Sequence, residues 1–270
     1  MPAGYDTISF LSDYGLADEF VGVVKAVVRG IAPHATVIDI THGIPPHDVR
    51  AGSLTLARAM QYLPRGVVLA VVDPGVGTDR RAVAVEVADG DAVLVGPDNG
   101  LLASAVAMAG GSSRAVSLTD TNYQLPAPAP TFAGRDVFAP AAAHLCAGVD
   151  LAELGETVDP LTLLPGTLPL TREEDGRLVG EVLWVDRFGN AQLNVDPDEV
   201  EGLGDHVTLR YRDEVRTAVR AGTYAALRSG QVGLVVDSYG LLSIALDRRS
   251  AADELRIHAG DAVTLEAAGR

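Results

Sequence analysis

Cysteine occurs once in this 270-residue chain, at Cys146, so no intrachain disulfide can form and the fold must rest on packing. Lysine also occurs once, at Lys25, and 21 basic residues face 36 acidic ones, a formal net charge of -15. Binding along a phosphate backbone needs clustered Lys and Arg to displace counterions, and no such cluster is present, so nucleic acid is not the expected partner. A small, neutral or cationic ligand is expected, with the acidity itself serving mainly solubility. No apolar run reaches membrane length, which argues against a membrane partner. The opening MPAGYDTISFLSDYG has neither the basic start nor the apolar stretch of a secretory signal. With the lone cysteine, that makes the cytoplasm the expected location.

Several chemical signatures are missing too. Neither GxGxxG nor GKS/GKT occurs, which removes the usual nucleotide-phosphate fingerprints and with them a generic dinucleotide-dependent dehydrogenase. The nucleophile elbow GxSxG is absent. The six histidines, His34, His42, His47, His144, His206 and His258, follow no HExxH or similar spacing, so no metal is expected. Cys146 lies in an Ala-rich helical run and reads as a buried structural thiol.

What is present is a two-part pattern. In the first part, short apolar runs alternate with amphipathic ones. TISFLSDYG is a strand breaking at Ser12-Asp13, DEFVGVVKAVVRGIAP a helix capped by Asp18, TVIDITHG a second strand, and HDVRAGSLTLARAMQYLP a helix. GVVLAVVDPGVG is a third strand ending in a Pro-Gly turn. AVAVEVADGDAVLVGPDNG supplies two strands around Asp89-Gly90-Asp91, and LLASAVAMAGG a helix stopped by glycine. Strand and helix in alternation imply a layered α/β domain with a mainly parallel sheet, over residues 1–168. From 169 to 270, after the linker-like TREEDGRL, short alternating segments separated by turn residues imply an all-β domain.

Ligands of open parallel sheets gather beyond the carboxyl ends of the strands. Asp13, Asp73 and Asp98 with Asn99 follow three strands there, and three acidic groups beside glycines favour a site over isolated turn formers. Within VVDPGVGTDRR, Arg80 lies seven residues after Asp73, across a Pro74-Gly75…Gly77 turn, so carboxylate and guanidinium can meet. His47, in PPHDV, is the histidine placed to line a pocket. PTFAGRDVFAP, approached by the proline-rich QLPAPAP, reads as a site wall through Phe132 and Gly134, with Ala133 between them. In the second domain Asp186 and Asn190 flank a Phe-Gly turn and offer a carboxylate and an amide. Tyr224, Ser238 and Tyr239 add a stacking ring and hydroxyls.

SDYG, DITHGIPPHD, VVDPGVGTDRR, GPDNG, TFxGRDxFAP, VDRFGN and DSYG, in this order from residue 12 to 240, resemble the S-adenosyl-L-methionine (SAM) hydroxide adenosyltransferases, the adenosine-forming SAM hydrolases related to fluorinases and chlorinases. The resemblance implies homotrimers with an N-terminal α/β domain and a C-terminal barrel-like domain, sites at subunit interfaces, and no cofactor. It implies that water or hydroxide attacks ribose C5′ of SAM and releases adenosine and L-methionine. Asp13 would hold the ribose hydroxyls, His47 would lie near the sugar, and Asp73 with Arg80 would belong to the water-activating group. Asp186 would take the methionine ammonium, Ser238 its carboxylate, and Asn190 with Tyr224 the adenine.

The family's third water-activating residue is a histidine in TFHGRD, where this chain has Ala133. A methyl neither accepts nor donates a proton, and losing a general base costs about two to four powers of ten in rate. Impaired turnover is therefore expected, and the otherwise intact motif favours a substitution made to slow the enzyme. Two other readings compete. A halogenase would use the room at Ala133 for chloride, against the repulsion of Asp73. A sensor would bind SAM or adenosine without turnover.

Overall fold

The computed structural model describes residues 4–269. The chain divides into two compact units, Met1–Thr167 and Leu168–Arg270.

The first unit is built on a seven-stranded sheet. Its opening segment runs β1 (Thr7–Ser12), α1 (Phe20–Ile31), β2 (Thr36–Thr41), α2 (Val49–Met60) and β3 (Gly66–Val71). It continues with β4 (Ala82–Val87), β5 (Ala92–Pro97), α3 (Ala103–Met108), β6 (Ser112–Ser117), α4 (Ala139–Cys146) and β7 (Glu156–Val158). The strand order is β2-β1-β3-β5-β4-β6-β7. β2, β1, β3 and β5 are parallel, and β4, β6 and β7 extend the sheet antiparallel. The parallel part comes from sequence: β3 is apolar throughout, β1 carries Ile8 and Phe10 on one face and Leu11 on the other, and both are buried almost throughout, as strands covered by helices on each side must be. Ile8, Phe10, Val67 and Leu69 pack with α1 and α4 on one face. Leu11, Val68, Ala70 and Leu94 pack with α2 and α3 on the other.

Some local expectations fail for identifiable reasons. Asp18 does not cap α1; Glu19 occupies that position in a helical conformation with no side-chain cap bond. Packing sets the start instead, since the Phe20 ring meets Phe132 at 5.0 Å and Tyr14 at 5.6 Å. Asp48 does cap α2, accepting from the Ala51 N–H at 2.8 Å. β6 was not legible because only Ala115 and Val116 break its polar run SSRAVS.

The second unit is a closed barrel. Its strands are β8 (Arg172–Glu174), β9 (Arg177–Val185), β10 (Ala191–Leu193), β11 (His206–Tyr211), β12 (Glu214–Ala221), β13 (Val232–Val236), β14 (Leu242–Ala245) and β15 (Ala262–Ala267), with the short helix α5 (Ala251–Leu255) before the last. β9 pairs with β15 along its first half and with β10 along its second, so β9-β10-β14-β13-β12-β11-β15 close a ring of seven strands. Alternate residues such as Val207, Leu209, Val263 and Leu265 fill it. TREEDGRL is not a linker: Asp175 and Gly176, both at positive φ, turn β8 into β9. Among the described residues no helix is long and apolar enough to cross a membrane.

Candidate active site

The order β2-β1-β3 means that the chain leaves β1 to one side through α1 and returns past it through α2 to reach β3. α1 and α2 lie on opposite faces. A crevice opens at such a switch point, beyond the carboxyl ends of β1 and β3. Asp13 follows β1 and Asp73 follows β3, on neighbouring strands whose ends are in register at Ser12 and Val71. Both carboxylates line a cavity of about 260 Å³, together with Tyr14, Pro46, His47 and the stretch Thr131–Gly134.

Asp73 and Arg80 meet as their spacing suggests. The Arg80 Nε donates to Asp73 Oδ1 at 2.7 Å and Nη2 donates to Oδ2. The turn between them is held by Val76 N–H on the Asp73 carbonyl and by Thr78 Oγ on the Gly75 carbonyl, with Gly77 at φ +78. This is no surface pair: the side chains are only 7% and 15% exposed. Asp73 lines the cavity, whereas Arg80 does not and stacks over the Phe138 ring at 5.1 Å. The carboxylate is thus presented to the cavity with its guanidinium clamp behind it.

Asp13 is fixed differently. Its Oδ2 accepts the His47 backbone N–H at 2.9 Å, and His47 adopts φ +69, a left-handed conformation rare for a residue with a side chain. His47 serves Asp13 through its backbone while its exposed ring lines the cavity. Beside Asp13 runs a hydrogen-bonded chain that spacing did not reveal, from the buried Ser12 and His42 out to the exposed Asp39. The Tyr14 N–H donates to Ser12 Oγ at 3.3 Å, Ser12 Oγ lies 2.8 Å from His42 Nδ1, and His42 Nε2 lies 3.1 Å from Asp39 Oδ1. Lys25 Nζ bonds the other Asp39 oxygen at 2.6 Å. Because an ionised carboxylate only accepts, the network assigns the imidazole proton to Nε2 and the Ser12 proton to Nδ1. Burial works to raise the Asp39 carboxyl, but the bonds from Lys25 and His42 outweigh it and hold it below its ordinary value. The Gly15 N–H also bonds the His42 carbonyl at 2.8 Å, so the Asp13–Gly15 loop is latched to the end of β2.

The Thr131–Gly134 wall leads into a π-helical turn, Gly134–Phe138, that runs on into α4. Phe132 packs edge-on against Tyr14 and Phe20, and Arg135 lies over the Phe132 ring while bonding Asp136. A Cβ at Gly134 would sit 2.1 Å from the Tyr14 hydroxyl oxygen, so any side chain there would force the Tyr14 ring to shift. Burial, with the negative charges of Asp13 and Asp73 adding to it and Arg80 opposing, pushes the Tyr14 phenol well above its ordinary value. Tyr14 belongs to the SDYG motif, and nothing in its spacing marks it as a cavity residue. Ala133 lines the cavity with a methyl group.

The third strand-end carboxylate is not part of this cavity. Asp98 accepts from Arg81 Nε at 2.8 Å and from the Leu164 N–H at 2.8 Å, and lines a separate apolar cavity of about 200 Å³ with Leu102 and Leu163. Asn99 is likewise spent on the Val72 carbonyl. Among the described residues no cluster of three His, Cys, Asp or Glu is placed to hold a metal ion.

In the barrel, Asp186 and Asn190 come together chiefly with each other. Asp186 Oδ1 accepts the N–H groups of Phe188 and Asn190, and Oδ2 accepts Asn190 Nδ2 at 2.8 Å. Tyr224 is near both Asp186 and Asp237: burial raises its phenol first, and those two charges add to the shift. Ser238 and Tyr239 lie exposed on a turn that Asp237 organises. Asp237 accepts the Tyr239 N–H at 2.8 Å, Gln192 Nε2 at 2.6 Å and Ser243 Oγ at 3.0 Å. Asp237 and Gln192 were not anticipated, because their pairing spans 45 residues.

Known proteins resemble this chain along nearly its whole length. Residues 8–155 match the SAM hydroxide adenosyltransferase N-terminal domain and residues 180–264 its C-terminal domain. The chain is 46% identical over 260 residues to an (R)-S-adenosyl-L-methionine hydrolase of Salinispora tropica, covering 96% of this chain and 97% of that protein. It is 44% identical over 266 residues to one of Thermus thermophilus, covering 96% and 98%. A fluorinase of an Actinoplanes species is more distant, at 29% identity, covering 98% and 99%. The crystal structure of an uncharacterised conserved protein from Thermotoga maritima superposes with a TM-score of 0.88 at 34% identity, over 96% of this chain and 99% of that one. The motifs and the matches to both halves lead to one statement: this chain belongs to the SAM hydroxide adenosyltransferase family.

Proposed function

We propose that the chain hydrolyses SAM to adenosine and L-methionine, taking the (R) sulfonium epimer for which its relatives are named. The water oxygen forms a bond to ribose C5′ while the C5′–S bond breaks, its electron pair going to sulfur. The proton shed by the water passes through Asp73 to solvent. The leaving group is a neutral thioether and needs no acid, so the protein's task is to place and desolvate the nucleophile in line with the sulfonium. No cofactor enters this step.

The observation that carries the reading is the buried Asp73–Arg80 clamp presenting its carboxylate to the cavity. A carboxylate there attracts a sulfonium and accepts a proton from water. At 4 Å it would repel a chloride by about 4 kcal/mol at an effective dielectric of ~20, less what the guanidinium behind it offsets. Water is therefore favoured over halide. Asp13, with one oxygen already on the His47 N–H, would use the other on the ribose hydroxyls. A carboxylate has about four lone-pair sites. Asp186 spends three of these on its own turn, so a substrate ammonium would take the last. Asn190 and Tyr224 would meet the adenine, and Ser238 beside Tyr239 the methionine carboxylate. The assembly would be a cytoplasmic homotrimer whose sites are completed by a neighbouring subunit.

The test is chromatographic detection of adenosine and methionine from SAM, with this chain and Ala133→His, with and without excess chloride. Histidine is expected to raise adenosine formation by about two powers of ten or more. Chloride is expected to give no chlorinated nucleoside. The Ala133 methyl favours one second reading, a SAM or adenosine sensor; binding by both proteins with no product from either would establish it.

A further inference from the structure

We propose that the Tyr14 hydroxyl holds and orients the attacking water in this chain, serving as a catalytic residue where Ala133 supplies no imidazole. The inference rests on the hydrolase reading above and adds a residue to it. Three observations carry it. Tyr14 shares the cavity wall with Asp13, Asp73 and Ala133. Its hydroxyl oxygen lies against Gly134, the residue next to Ala133, close enough that a methyl on Gly134 would collide with it. The hydroxyl makes no hydrogen bond to any other described residue, while its ring is fixed by Phe20 and Phe132 at 5.6 Å each.

A water poised for in-line attack needs its protons taken up so that one lone pair points at carbon. The Asp73 carboxylate accepts one proton, and the Tyr14 oxygen, which can accept as well as donate, takes the other. The O–C5′ bond then forms, the C5′–S pair leaves with methionine, and the released proton goes to Asp73 and on to solvent. Tyr14 itself remains a neutral phenol throughout, in keeping with the upward push on its ionisation. It orients the water and removes no proton.

The test is a cycle of the unaltered chain, Tyr14→Phe, Ala133→His and the double variant. Single-turnover adenosine release from SAM and SAM affinity by calorimetry are measured for each. Phenylalanine keeps the ring packing and deletes only the hydroxyl. Tyr14→Phe is expected to lower the rate about tenfold in the Ala133 chain, the scale of one hydrogen bond, with affinity unchanged. In the Ala133→His background, where the imidazole holds the water, the same change is expected to matter little. An unchanged rate, or an equal loss in both backgrounds, would show a packing role and overturn the proposal. Turnover by Ala133→His with none by the unaltered chain would overturn it and show instead a hydrolase site that Ala133 disables. Absence of product from all four proteins would remove both.

Discussion

Removing Arg80 should separate what the Asp73 clamp does for stability from what it does for chemistry. Both side chains are largely buried, and two parallel hydrogen bonds join them. Arg80→Ala would leave the Asp73 carboxylate without its partner. Breaking a buried ion pair from one side costs about 3–5 kcal/mol, and the lower end applies here because Asp73 borders a cavity that water can enter. For a protein of this size each kcal/mol lowers Tm by about 2–4 °C, so a drop of about 6–12 °C is expected. The loss of the Phe138 stacking adds to it. Replacing both partners with neutral amides, Asp73→Asn with Arg80→Gln, removes the orphaned charge and should recover much of the Tm. Adenosine release should stay abolished in both variants. Arg80→Lys keeps the charge but loses the fork and should fall between. Calorimetric melting and chromatographic assay on the same samples decide the matter. A Tm for Arg80→Ala within about 1 °C of the parent, where the pair behaves as a surface contact, would refute the argument.

Further outcomes follow from the geometry. Gly134→Ala should cost about 1–3 kcal/mol in urea denaturation, because the new methyl meets the Tyr14 hydroxyl; combined with Tyr14→Phe the cost should shrink, since the atom met first is gone. Ser12→Ala should cost about 1–3 kcal/mol by leaving His42 Nδ1 unpaired in the core, and should weaken SAM binding by loosening the Asp13–Gly15 loop. Cys146 is 1% exposed, and burial, with a smaller contribution from Asp6, pushes its thiol from 9.0 up to about 12. The native protein should therefore resist thiol reagents at pH 8. The folded state holds this proton more tightly than the unfolded one. Its contribution is thus complete below pH 9 and is lost as pH rises toward 12, and Cys146→Ala should flatten that part of the urea midpoint against pH.

The parts of this fold that were legible in the sequence are those where one physical requirement dominates. β1, β3 and β5 are buried on both faces, and TISFLS, GVVLAV and AVLVGP announce it. α1 buries Val21, Val24 and Val28 at helical spacing. The Asp73–Arg80 clamp was legible because its partners are seven residues apart across a Pro-Gly turn. β6 was not, because its strand character comes from pairing with β4 and not from its own residues.

The strand-end carboxylates show why the site was only half legible. Asp13, Asp73 and Asp98 look alike in sequence, each at the end of an apolar strand, yet only the first two flank the switch point. β5 lies one strand further along, where Arg81 and the Leu164 N–H consume the Asp98 oxygens. Which carboxylates share a cavity is decided by strand order, and strand order is set by contacts far apart in the chain. The same reason hid Tyr14: its ring is placed by Phe132, more than a hundred residues later, and its hydroxyl by the absent side chain of Gly134. A polar group gains a role in a cavity from what its neighbours leave unfilled. At the Ala133–Gly134 wall two small residues border the cavity, and the missing side chain of Gly134 leaves the room that the Tyr14 hydroxyl occupies.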